Sequence, residues 1–276
     1  MIFNAHNIDL GNGKKTMTGS EVLLVESERW KSIERTVNIL FTKDEIKNKR
    51  VVDLGCLEGG YSLAFAKLGF QVIGMDARQD NLDKCEWVKT HHNVPNLTYV
   101  LDDVKNLANH GMFDLIFCAG LLYHLDEPAK FIEIMAKQCN TCTIIHTHFA
   151  LQPDSFYDNR RNLNLAQRSV KKLFNLPNYH YPAKHDFWLS EVVENEGYKG
   201  RWFYEFDENE TKQSIEKNFA ASYSNYKSFW FVKSELIRCA RKNNFKVIYE
   251  QYDFVDKNIG EDYIEKFDRG MFVLIK

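Results

Sequence analysis

The chain has 276 residues, 44% apolar and 27% charged side chains, a net charge of −2 and a pI near 6.5. That length holds one substantial α/β domain plus an insertion or cap, and the charge balance lacks the basic footprint that argues for nucleic acid as a partner. No apolar run approaches the ~20 residues of a membrane span, and the residues after Met1 lack the basic, apolar and cleavage-site succession of a signal peptide, so a cytoplasmic protein is expected.

Six cysteines, at 56, 85, 118, 139, 142 and 239, fall mostly in predicted strands and helices, as in a reduced compartment. Cys139 and Cys142 form a CxxC pair at the end of a predicted helix, with no second pair for zinc and no helix N-terminus to activate a thiol. Two packed thiols are the simpler reading.

Residues 1–45 contain a polar turn, HNIDLGNGKKT, and then a helical spacing of Val22, Val25 or Glu26, Trp30, Ile33, Val37 and Leu40, with Ser20 as the expected cap. The segment either covers a ligand pocket or only covers a sheet edge. Residues 51–54 and 70–75 are short continuous apolar runs, as in strands buried on both faces, and residues 63–68 supply the crossing helix. A dinucleotide fingerprint needs glycine at the first, third and sixth places after the first strand. Here Gly55-Cys56-Leu57-Glu58-Gly59-Gly60 puts leucine in the third place, which weakens a nicotinamide or flavin reading.

Asp53-Leu54-Gly55-Cys56 with Gly59 resembles the first motif of the class I S-adenosylmethionine (SAM) methyltransferases, and Gly74-Met75-Asp76 resembles their second. DLGCLEGGYSLAFAKLG looks more narrowly like a bacterial subgroup often found with glycan and small-molecule tailoring genes. The resemblance implies a Rossmann-like, doubly wound α/β sheet of seven strands in the order 3-2-1-4-5-7-6. It implies SAM as cofactor and S-adenosylhomocysteine (SAH) as product, with the glycine turn under the methionine part and Asp76 accepting both ribose hydroxyls. Ala77 and Arg78 follow at the same edge, Arg78 either near the adenine, holding Asp76, or solvated.

Residues 96–100 are the third strand. The family supplies a carboxylate and a backbone N–H to the adenine just beyond it; Asp103 with Val104 fits best, and Asp102 competes one residue away. Residues 113–119, ending at Ala119, are the fourth strand, and Gly120-Leu121-Leu122-Tyr123-His124-Leu125 follows at the carboxyl end, where ligands of open α/β sheets bind. Tyr123 and His124 are candidates for acceptor positioning or proton removal, with a packed histidine as the alternative. Pro128 opens a helix to about Gln138. Residues 141–147 are the fifth strand, and alternation puts His146 and His148 on one face, His148 nearer the site as a second candidate base. No carboxylate set accompanies them, so no metal is expected.

Residues 150–226 form an insertion. Its segment 158–186 carries a net charge of +4, which suits an anionic acceptor gripped by Arg160 and Arg161 or, equally, a solvated basic face. Residues 196–205 and 228–231 also resemble the subgroup; Arg201, Trp202 and Tyr204 line an acceptor pocket or form the insertion's own core. Residues 233–242, 245–252 and 270–275 read as the last helix and the last two strands. The expected division is therefore a 1–45 cap, a 46–149 cofactor core, a 150–226 acceptor-binding insertion and a 227–276 return to the core.

The function expected is methyl transfer from SAM to a small sugar-containing or anionic acceptor, such as a glycan or capsule precursor, most simply on oxygen. GLLYHL with the proline helix also resembles tRNA wobble-base modifying enzymes, and a SAM-binding assembly subunit without turnover is the third reading. The oligomeric state is left open.

Overall fold

In the computed structural model the described residues are 1–150, 189–206, 209–218, 221–252 and 269–276. The chain opens with a hairpin of β1 (Asp9–Gly11) and β2 (Lys14–Lys15), turned by Asn12 and Gly13 with φ of 53° and 73°, the pair of left-handed residues that a tight hairpin turn demands. Helix α1 (Glu28–Leu40) follows and α2 (Lys43–Ile46) leads to the sheet. The cap of α1 is Ser27, not Ser20: the Ser27 hydroxyl oxygen accepts from the Trp30 N–H at 3.2 Å. A short 3-10 turn over Leu24–Glu26 interrupts the spacing read from the sequence, which leaves Val22 and Val25 exposed while Trp30, Ile33 and Val37 are buried.

Seven strands build the main sheet: β3 (Arg50–Leu54), β4 (Gln71–Asp76), β5 (Leu97–Leu101), β6 (Phe113–Ala119), β7 (Cys139–His148), β11 (Val247–Gln251) and β12 (Arg269–Ile275). Their spatial order is β5-β4-β3-β6-β7-β12-β11. Counted as seven, this is the 3-2-1-4-5-7-6 order, with β12 antiparallel between β7 and β11. Strand β3 shows why its sequence is apolar without alternation. Val51 packs with α1 and with α3 (Gly60–Leu68) on one face, and Val52 and Leu54 pack into the opposite core with α5 (Pro128–Gln138) and α7 (Lys233–Lys242). Helix α4 (Gln79–Lys89) turns its Val88 to the α1 and α3 face.

Strand β7 begins at Cys139, two residues earlier than the sequence pattern gives, so the CxxC pair lies within the strand. Both thiols are buried and free.

After residue 188 the chain forms β8 (Val193–Asn195) and β9 (Tyr198–Tyr204), then α6 (Lys212–Lys217) and β10 (Lys227–Phe231). Strands β8, β9 and β10 make a separate antiparallel sheet. Glycine is required where β9 passes β10, because a Cβ at Gly200 would overlap the Trp230 carbonyl oxygen and the Phe229 ring. This small sheet is tied to the loop after β6: the Phe229 N–H donates to the Leu125 carbonyl at 2.8 Å and the Trp230 indole to the Tyr123 carbonyl at 2.9 Å. Residues 158–186, with Arg160 and Arg161, lie outside the described residues. Among the described residues no helix is long and apolar enough to cross a membrane.

Candidate active site

A cavity of about 570 Å³, within the ~300–1,000 Å³ usual for ligand sites, opens at the carboxyl ends of β3, β4, β5 and β6. That is where the reversal of strand order leaves a crevice. Gly55 and Leu57 come from the turn after β3, Asp76 and Ala77 from the end of β4, Asp103 and Val104 from beyond β5, and Ala119 from the end of β6. Leu57 holds φ of 53°. It takes the left-handed conformation that glycine fills at lower cost, so the turn keeps its shape despite the leucine. Its N–H donates to Asp76 Oδ2 at 3.0 Å, and Asp76 Oδ1 accepts from the Arg78 N–H at 2.9 Å and the Asn81 amide at 3.1 Å. These bonds fix the carboxylate at the cavity edge, while burial pushes its pKa up.

Three residues of the first motif do not reach the cavity wall and act one step behind it. Asp53 is buried and accepts from the Ser62 hydroxyl at 2.6 Å, tying β3 to α3. Cys56 packs against Cys85. Gly59 starts α3 at φ of 75°, with the Tyr99 hydroxyl where a Cβ would stand. Burial raises the Asp53 pKa to about 7, against the opposing hydrogen bond from Ser62. A carboxyl held protonated by the fold contributes stability that is full below its unfolded pKa near 4 and is lost as pH rises to about 7. The difference in melting temperature between Asp53→Asn and the wild type is therefore expected to change between pH 4 and 7; parallel curves would exclude the shift.

Of the two neighbouring carboxylates beyond β5, one lines the cavity. Asp102 is absent from the cavity wall, accepting from the Asn106 amide at 2.7 Å and pairing with His110 Nε2 at 2.8 Å, which lowers its pKa. Asp103 and Val104 line the wall. Arg78 also lines it, but its guanidinium neither lies free for an adenine nor holds the Asp76 carboxylate. It donates to the carbonyls of Glu216, Asn218, Ala221 and Ser222 at 3.0 to 3.2 Å, clamping the roof segment Ser222 to Asn225 over the cavity.

The N-terminal segment makes a second wall with Ala5, His6, Asn7, Ser27 and Arg29. Glu58 holds it there, accepting from the N–H groups of Asn4, Ala5 and His6 at 2.9 to 3.1 Å and pairing with Lys84 at 3.1 Å. His6 Nδ1 accepts from the Gly60 N–H at 3.1 Å, so this nitrogen is unprotonated, and burial depresses the ring's pKa to about 4. Arg29 projects a buried Nε with no hydrogen-bond partner.

Tyr123, His124 and His146 close the third side. Glu205, 3% exposed, receives His124 Nδ1 at 2.9 Å from each carboxylate oxygen, together with the Ser222 N–H at 2.8 Å and the Ser228 hydroxyl at 2.9 Å. A carboxylate oxygen accepts, so Nδ1 is the ring nitrogen that donates to Glu205, and Nε2 is the one left for proton transfer. His146 lines the cavity and His148 does not, the reverse of the order expected. Strand β7 continues through His148, whose ring stacks on Trp230 at 4.8 Å and meets the edge of Tyr123 at 4.7 Å. Arg201 and Tyr204 are likewise absent from the wall. Arg201 is buried in β9 and donates to the Ser190 carbonyl at 3.3 Å. Sequence reasoning missed Glu205, Arg29, His6 and Arg269; of these only Glu205 had a signal, ending the 196–205 segment. Among the described residues no cluster suits a metal ion.

The residues present fit SAM. Asp76 offers two acceptor oxygens to a diol, Asp103 and Val104 offer a carboxylate and an N–H beyond it, and the unpartnered Arg29 suits the amino acid carboxylate.

Residues 45–217 match the methyltransferase domain family. A tRNA U34 carboxymethyltransferase of Campylobacter hominis is 30% identical over 119 residues, 42% of this chain and 41% of that protein. A ubiquinone biosynthesis O-methyltransferase of Proteus mirabilis is 29% identical over 96 residues, 34% and 39% of the two chains. These alignments span about two fifths of either relative. The N-terminal domain of EvdMO1, crystallised in the presence of SAH and D-fucose, superposes with a TM-score of 0.61 at 18% identity over 98% of this chain and 88% of that one. An S-adenosylmethionine dependent methyltransferase from Mesorhizobium loti gives 0.51 at 12% over 91% and 98%. At such identities the structural likeness is one of fold. The family match covers more than half of the chain, and with the strand order it establishes that the chain belongs to the methyltransferase domain family of class I, Rossmann-like fold.

Proposed function

We propose that the chain is a SAM-dependent methyltransferase that O-methylates a small, sugar-containing or anionic acceptor, such as a glycan or capsule precursor. One observation carries this reading: a single cavity joins Asp76, at the end of the second motif strand, to a histidine oriented by a buried carboxylate. When bound, SAM supplies a methyl group on an already activated sulfonium. The protein's task is alignment and proton removal. Asp76 and the Asp103–Val104 turn hold the nucleoside end, and Arg29 holds the amino acid end. An acceptor hydroxyl must lose a proton as it attacks, and His124 Nε2 takes it while Glu205 steadies the imidazolium that forms. Residues 1–45 then serve as the cap and the segment after 150 as the acceptor side. The solved neighbour's D-fucose supports a sugar as the first acceptor class to try.

Transfer to a tRNA wobble base is the second reading, favoured by the name of the Campylobacter hominis relative. The discriminating experiment offers methyl-labelled SAM with a panel of neutral sugars, sugar phosphates and uronates, and separately offers unmodified tRNA with labelled SAM and with its labelled S-carboxymethyl analogue. Label in the small acceptors is expected. Label in tRNA alone would replace the first reading with the second. SAH binding without label anywhere would leave an assembly subunit.

A further inference from the structure

A second arginine faces the cavity. Arg269, the first residue of β12, pairs in register with His148 of β7, and Met271, two residues on, pairs with His146. Opposed residues share a face, so Arg269 stands beside His146 on the face that α1 covers. Its guanidinium lies 5.6 Å over the Tyr123 ring, next to His124. Like Arg29, it has a buried Nε without a hydrogen-bond partner, and among the described residues its guanidinium meets no carboxylate. Burial first, then Arg269 and Arg29, press the His146 pKa well down, which places both arginines within electrostatic reach of one ring.

Among the described residues, the carboxylate at this end of the cavity is Glu205, which is taken up by His124, Ser222 and Ser228 and forms no ion pair with Arg29 or Arg269. Arg78 is occupied by four carbonyls, and Lys105 pairs with Asp126 at 3.3 Å. The acidic lining residues, Asp76 and Asp103, stand at the far end, beyond β4 and β5. SAM carries one carboxylate, which one arginine satisfies. The other cation needs an anion that the cofactor does not bring, since a part-buried guanidinium left without an acceptor is costly.

We infer that Arg269 is a specificity residue for an anionic group of the acceptor, a carboxylate or phosphate held over Tyr123 while a neighbouring hydroxyl faces His124. This rests on the reading of the cavity as a SAM site and deepens it: among sugar acceptors, sugar acids or sugar phosphates are preferred to neutral ones. A planar guanidinium grips either anion bidentately.

The test is titration of the SAH-loaded protein with inorganic phosphate and, separately, with D-glucuronate, on wild type, Arg269→Gln and Arg269→Lys. SAH occupies Arg29 in this complex, so a second anion reports on Arg269. The glutamine variant is expected to lose about ten-fold or more in affinity for one or both anions, the lysine variant to recover part of it, and SAH affinity to stay within about two-fold in all three. Whichever anion binds tighter identifies the group. Equal anion binding in wild type and Arg269→Gln, or none in wild type, overturns the proposal. A parallel loss of SAH affinity in the glutamine variant also overturns it, assigning Arg269 to the cofactor. Failure of wild type to bind SAH would instead remove the cofactor reading. The same anion titrations on the ligand-free pair would then decide Arg269 by the same criterion.

Discussion

Replacing His124 by alanine is expected to lower turnover about 10²- to 10⁴-fold, the usual worth of a positioned general base, while SAH affinity stays within about two-fold. His124 stands on the loop after β6, away from the nucleoside side of the cavity, and its ring is fixed by Glu205 rather than by any residue that meets the cofactor wall. A packing role predicts a different pair of results: a lowered melting temperature and a modest loss of rate. Glu205→Gln separates the two. The glutamine keeps the volume and one acceptor oxygen, for the Ser222 N–H, while its amide nitrogen faces the Ser228 hydroxyl, which can turn to accept, and can donate to His124 Nδ1. That moves the ring proton to Nε2, where the base is needed, so a folded Glu205→Gln protein is expected to resemble His124→Ala in rate. Full activity of either variant on a hydroxyl acceptor would end the candidacy of the pair.

Asp76→Ala is expected to weaken SAH binding by roughly 2 to 3 kcal/mol, about 30- to 150-fold, through loss of charge-assisted bonds to the ribose diol. The same carboxylate also receives the N–H groups of Leu57 and Arg78 and the Asn81 amide, so part of the loss is in the turn itself. Leu57 is the sensitive element, because its left-handed backbone is held by that bond. Asp76→Asn retains one acceptor oxygen and most of the shape. It is expected to bind SAH with intermediate affinity at a melting temperature near that of the wild type. Unchanged affinity in the alanine variant would remove Asp76 from the site.

The parts of this molecule legible in the sequence are those whose signal is local. Continuous apolar runs gave strands buried on both faces, Pro128 marked a helix start, and the Gly55 to Asp76 unit located the cavity floor. Asp103 was separable from Asp102 only by one residue of register, and that register was decided by a partner, His110, eight residues on. The missed groups are non-local. His6 meets Gly60 across 54 residues and His124 meets Glu205 across 81, pairings that no spacing announces. Arg269 reaches the cavity because β12 inserts antiparallel beside β7, so its neighbours come from a strand about 120 residues earlier. His146 and His148 fall on one face as alternation implies, but the strand runs one residue past its expected end, through His148, and that histidine is taken up by Trp230. For Arg201 and Tyr204 the sequence leaves a pocket wall and the insertion's own core open, and the burial of Arg201 in β9 with its bond to the Ser190 carbonyl matches the second.

Calorimetric titration of the wild-type protein with SAH, followed on the same sample by NADH, tests the central claim most directly. Micromolar one-to-one binding of SAH and none of NADH is the result this account predicts. Binding of NADH, or no binding of SAH, would contradict it and with it the assignment of Asp76, Asp103 and Arg29 to a cofactor.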